Sequence, residues 1–138
     1  MLSFQKKYKV PAAKEKIFPL IDELCDFIGA KAVSSDAVGA LRLALEELLM
    51  NICQHSGLGG QDLIDVEVEG GSGLLSLRLC DAGMAFDPLA VAEPDTSLAS
   101  EDRAIGGLGI MLVRKMSDGF FYQRQDQKNV VAVTWGDC

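Results

Sequence analysis

Metal-binding and disulfide-forming residues are scarce in this chain. Its four cysteines, at positions 25, 53, 80 and 138, form no C-x-x-C pair, and His55 is the only histidine. A Cys/His zinc site therefore has almost nothing to build from, and reduced thiols in the cytoplasm are the expectation. Although 49% of the residues are hydrophobic, no uncharged apolar run approaches the ~20 residues that span a bilayer. The opening residues "MLSFQKKYKV" have no apolar signal core or small-residue cleavage site, so no export is expected. Excess basic charge is missing too: 13 Lys and Arg stand against 20 Asp and Glu, a net charge of -7. That balance opposes direct contact with nucleic acid or anionic lipid. An anionic ligand would need a local device, such as a helix N-terminus or a metal ion. Two familiar phosphate loops are absent as well, since no G-K-[ST] occurs and no G-x-G-x-x-G follows a strand.

What is present suits one domain over residues 1–138, long enough to bury a substantial core. Residues 3–9 alternate as a first strand, which Pro11 is expected to end. Residues 12–30 read as a helix kinked at Pro19, and Ser35 or Asp36 is placed to cap a second helix running to about His55. In that second helix Leu41, Leu45, Leu48 and Ile52 fall on one face. Ile64, Val66 and Val68, then Leu75, Leu77 and Leu79, alternate with polar residues around "GGSG" and predict an antiparallel hairpin. From Ala82 to Gly106 the pattern dissolves, apart from a short helix expected at 88–92; a loop of this length is commonly functional or mobile. A helix over about 107–117 and a final hairpin, "GFFYQR" and "NVVAVTW", complete the chain. The order predicts an α+β two-layer sandwich, helices covering one face of a mostly antiparallel sheet.

Three stretches can carry chemistry. In "EELLMNICQH" Glu47, Asn51 and His55 lie i, i+4, i+8 on one side of the helix, away from the Leu41/Leu45/Ile52 stripe. They form either a solvated polar face, or a site in which Asn51 offers an amide oxygen to Mg²⁺ and Glu47 accepts a proton. For His55 a plain helix-end role is at least as good a reading. In "LCDAGMAFDP" Asp81 closes a buried strand, where a carboxylate is costly unless paired. It could accept a hydrogen bond from an exocyclic amine, with Gly83 letting a base approach the backbone, or the stretch is an ordinary turn. In "RAIGGLGIMLVRKMSD" Gly106, Gly107 and Gly109 open a helix whose free N–H groups could receive phosphate oxygens; a hinge with close helix packing is the other reading.

Taken together and in this order, Glu-x-x-x-Asn, Asp-x-Gly and "GGLGI" resemble the Bergerat ATP-binding fold of histidine kinases and type II topoisomerases. More closely, "ALEELLMNICQHSG", "CDAGMAFDP" and "GGLGIMLVRKMSD" resemble the stand-alone anti-sigma-factor serine/threonine kinases, over about residues 35 to 124. The resemblance implies ATP and Mg²⁺ as cofactors, with Glu47 as the catalytic acid/base and Asn51 as metal ligand. Asp81 and Gly83 would then meet the adenine, Gly106, Gly107 and Gly109 the phosphates, and residues 88–105 would form a lid carrying Arg103 toward the γ-phosphate or a partner. It also implies phosphorylation of a STAS-type anti-anti-sigma protein, competition with a sigma factor in a partner switch, and a homodimer in the cytoplasm. A non-catalytic, nucleotide-gated binding protein of the same fold is the alternative. A detached histidine-kinase ATP domain ranks last, because His55 would sit inside the nucleotide site itself.

Overall fold

The computed structural model describes residues 3–90 and 107–136. Strand β1 (Phe4–Pro11) leads into helices α1 (Lys14–Gly29) and α2 (Ser35–His55), followed by the hairpin β2 (Leu63–Gly71) and β3 (Leu74–Asp81). After a three-residue 3₁₀ turn (Pro88–Ala90) come helix α3 (Gly107–Met116) and the hairpin β4 (Gly119–Gln125) and β5 (Lys128–Trp135). The five strands form one antiparallel sheet in the order β1-β2-β3-β5-β4. The predicted two-layer α+β architecture is thus the one observed.

Period-two alternation places Ile64, Val66, Val68, Leu75, Leu77, Leu79, Val131 and Val133 on the covered face of the sheet, all buried. Against them pack Ile17, Ile21, Leu24 and Ile28 of α1, Leu41, Leu45, Leu48 and Leu49 of α2, and Ile110 and Val113 of α3. Each such side chain contributes roughly 1.5–3 kcal/mol by leaving water. The opposite face is polar on β1 to β3: Gln5 donates to Glu67 (2.9 Å) and Glu69, and Lys9 pairs with Asp65 at 2.7 Å. Alternation of this kind marks an antiparallel sheet with one solvated face.

Both hairpins close through two residues with positive φ, Ser72 (55°) with Gly73 (78°) and Asp126 (52°) with Gln127 (63°). These are the mirror-image turns whose twist suits antiparallel strands. Local boundaries depart from the sequence reading in three places. Ser34, not Ser35 or Asp36, caps α2, its hydroxyl accepting from the Ala37 amide at 3.1 Å. Pro11 ends β1, as expected, and as its last residue pairs with Leu63, which an edge strand tolerates because proline only removes a donor. Helix α1 starts at Lys14 and runs through Pro19. The helix expected at 88–92 is only the 3₁₀ turn Pro88–Ala90.

Strand β5 is inserted between β3 and β4 rather than added at the edge of the sheet. This sets Asp81, the last residue of β3, in register with Asn129 near the start of β5, beside the C-terminal half of α2.

Candidate functional site

Asn51 shows why α2 is more than a covering helix. Only 8% of it is exposed, its side chain makes no hydrogen bond among the described residues, and its Nδ2 is buried without a partner. An unsatisfied buried donor costs about 1–3 kcal/mol, and such groups in native proteins ask for an explanation, a ligand among them. Asn51 lines a narrow pocket whose apolar walls are Leu48, Ile52 and Val131 and whose other polar residues are Ser56, Asp81 and Asn129. Phe86 and Pro88 complete the lining. The open interior is only about 10 Å³, too small for a flat ring unless the walls move. Wider grooves exist among the described residues, one along Ser34, Leu43 and Met116, and they are more open to solvent.

One turn before Asn51, Glu47 is half-buried. Burial pushes its carboxyl above the ordinary glutamate value, and the charge of Glu46 adds to the shift. Arg42 lies 3.9 Å from Glu46, whereas Glu47 has no cation partner among the described residues. Its carboxylate instead lies against the start of α3: a Cβ at Gly109 would overlap it. Glycine at position 109 therefore lets the carboxylate lie close to the α3 backbone. A carboxylate is the movable end of its side chain, so Gly109→Ala is expected to leave Tm unchanged or higher, alanine favouring the helix by up to about 1 kcal/mol. In the same variant Glu47 should be displaced into water and its pKa should fall toward the ordinary value, as read by NMR titration of the carboxyl carbon.

Asp81 is 4% exposed. Its Oδ1 accepts from the Gly83 amide at 2.9 Å and from Asn129 Nδ2 at 3.1 Å, which stabilises a buried carboxylate by charge-assisted bonds. Among the described residues Oδ2 accepts nothing. Gly83 packs on the end of α2, where a Cβ would overlap the Ser56 Cβ and stand 2.7 Å from the Ser56 carbonyl oxygen. The same carbonyl accepts the Met84 amide at 2.7 Å. Its observed packing alone accounts for glycine at this position. His55 is exposed and stacks on Phe86, ring centroids 4.6 Å apart and 13° from parallel.

The fold brings Glu47, Asn51, Asp81, Gly83 and Gly109 together, with Gly107 at the first turn of α3. Arg103, Gly106 and residues 91–105 of the expected lid lie outside the described residues. The sequence reading missed Asn129, Ser56 and Phe86. A signal for Asn129 was available: in "NVVAVTW" it shares the inward set with Val131, Val133 and Trp135, where an isolated amide is out of place.

Three comparisons with known proteins bear on this arrangement. BtrW, a serine/threonine-protein kinase of Bordetella bronchiseptica, is 30% identical over 95 residues, 68% of this chain and 67% of its own. A chain from the crystal structure of the SiaB–SiaC complex of Pseudomonas aeruginosa superposes with a TM-score of 0.65 at 14% identity, covering 94% of this chain and 88% of that one. The histidine kinase AdeS of Acinetobacter baumannii superposes at 0.51, also at 14% identity, over 96% and 68%. Both structural likenesses speak to fold. The profile of the histidine kinase-like ATPase domain matches residues 10–135, nearly the whole chain, and to that family the protein belongs.

Proposed function

We propose that this protein is an ATP-dependent serine/threonine kinase of the anti-sigma-factor type, acting on a STAS-type anti-anti-sigma partner. The observation that carries the reading is Asn51, a buried amide with an unpartnered donor, set between the Glu47 carboxylate and the pocket that ends at Asp81. Family membership supports nucleotide binding. The kinase name of the 30% identical relative supports transfer to a protein hydroxyl. A partner switch involving a sigma factor and a homodimer belongs to the same proposal.

In this reading the base enters beneath Phe86 and gives its exocyclic amine to Asp81. The phosphates run toward the N-terminus of α3, where Gly107 and Gly109 present backbone amides; Gly106 and Arg103, which the resemblance assigns to the phosphates, lie outside the described residues. An amide oxygen with a carboxylate nearby fits a hard cation. No cluster of three or more acidic, His or Cys side chains suited to a metal occurs among the described residues, so Asn51 would hold Mg²⁺ jointly with phosphate oxygens. Bound there, Mg²⁺ would neutralise phosphate charge during transfer. Glu47, its proton affinity raised by burial, takes the proton of the incoming serine or threonine hydroxyl. The hydroxyl oxygen bonds to the γ-phosphorus, the bond to the β-phosphate oxygen breaks, and ADP leaves with that electron pair.

The test is thermal unfolding with and without Mg-ATP for wild type and Asn51→Ala. At a hundredfold excess over Kd, wild type should gain about 2.7 kcal/mol, a Tm rise of several degrees. Asn51→Ala should lose the gain, while its unliganded stability stays within about 1 kcal/mol of wild type, because the residue removed was unsatisfied. Absence of a rise in wild type at millimolar nucleotide would overturn the reading. A rise without phosphate transfer to any STAS protein, but with nucleotide-dependent partner affinity, would favour a non-catalytic binding regulator.

A further inference from the structure

Asn51 and Asn129 face one pocket in opposite states. Asn129 is 3% exposed and every hydrogen-bonding site of its amide is used. Its Nδ2 donates to Asp81 Oδ1 at 3.1 Å and to the Met84 carbonyl at 2.8 Å. Its Oδ1 accepts from the Phe86 amide at 3.2 Å and from the Tyr122 hydroxyl at 2.6 Å. Chemistry fixes this orientation, since reversing the amide would set its oxygen against a carboxylate and a carbonyl. Arg124 of β4 adds a bond to the Gly83 carbonyl at 2.8 Å. Hairpin β4–β5 thus grips the loop after β3 at residues 83, 84 and 86, all through groups that point at Asp81 or its neighbours.

We propose that Asn129 is a positioning residue for purine selectivity. It has no capacity left for a ligand, but it takes up Asp81 Oδ1 and so leaves Oδ2 as the acceptor facing the pocket. An acceptor held there favours a 6-amino purine, which donates from its 6-position, over a 6-oxo purine, which only accepts at that position. Tyr122 keeps the Asn129 amide in the orientation this requires. The inference rests on reading the pocket as the base site, and the measurement separates the two.

ATP and ITP differ only at the 6-substituent and the adjacent N1, so the ratio of their dissociation constants, measured by calorimetry in excess Mg²⁺, reports the contact at Asp81. Wild type should prefer ATP, and Asp81→Asn should abolish the preference. Asn129→Ala is expected to weaken ATP about tenfold, the scale of one hydrogen bond to a charged group, and to change ITP less than twofold. Tyr122→Phe, which removes a single peripheral hydroxyl and should fold normally, is expected to lower the ratio about two- to fivefold. An unchanged ratio in both variants, with Asp81→Asn still losing its preference, overturns the positioning role and leaves the base site standing. Equal weakening of ATP and ITP overturns it in favour of general support of the loop. No ATP preference in wild type overturns the base site and this inference with it.

Discussion

Replacing Glu47 by glutamine is expected to reduce phosphate transfer by about 10²–10⁴-fold, the usual contribution of a positioned general base, while leaving ATP affinity within a few-fold. The same change should not destabilise the unliganded protein at neutral pH, and this second half makes the prediction demanding. Burial raises the Glu47 pKa in the folded state, so the folded protein holds that proton more tightly than the unfolded chain. A group of this kind contributes stability below its unfolded pKa, about 4.3 for glutamate, and loses it as pH rises through the higher folded value. Glutamine carries no such slope. The variant should therefore match wild type in acid and equal or exceed it at pH 7, as read by Tm against pH. Equal transfer by the two proteins would remove Glu47 from the mechanism, and a fall in Tm confined to neutral pH would mean that its carboxylate is paired rather than simply desolvated.

Gly83→Ala should have the largest effect on folding. The added Cβ meets the Ser56 Cβ, the Ser56 carbonyl oxygen at 2.7 Å and Asp81 Oδ1 at 2.9 Å, so the loop or the end of α2 must move. Neither is a free side-chain tip, because Ser56 is itself buried and its hydroxyl donates to the Ile52 carbonyl. Overpacking at such a contact costs about 1–3 kcal/mol, a fall in Tm of roughly 3–12 °C for a domain of this size. Gly39→Ala is the control, since nothing lies within 4 Å of its added carbon and helix propensity alone predicts a gain of up to about 1 kcal/mol. If both substitutions behave alike, the packing of the β3 loop on α2 is looser than its geometry indicates.

These two residues also show where a sequence stops being informative. Glu47 and Asn51 were legible as a pair, because four residues of helix set them on one side whatever surrounds them. That Asn51 is buried and His55 exposed was not legible, since the strands and loop that cover one and not the other come from later in the chain. Gly83 was legible as a glycine beside an acid. Its closest neighbour, Ser56, belongs to the end of α2 and is reached only through the loop that folds back from β3.

What the sequence determined by itself was therefore local. Periods of 3.6 and 2 fixed which segments are helix and strand and which of their faces are apolar, and the turn residues of "GGSG" marked the first hairpin, because these signals act over a few residues. The tertiary structure decided which distant groups meet. Placing β5 between β3 and β4 sets Asn129 opposite Asp81, and docking α3 on α2 brings Gly109 to the Glu47 carboxylate. Contacts across about 50 residues of chain depend on strand order and register, which arise only when the whole apolar face of the sheet is buried at once.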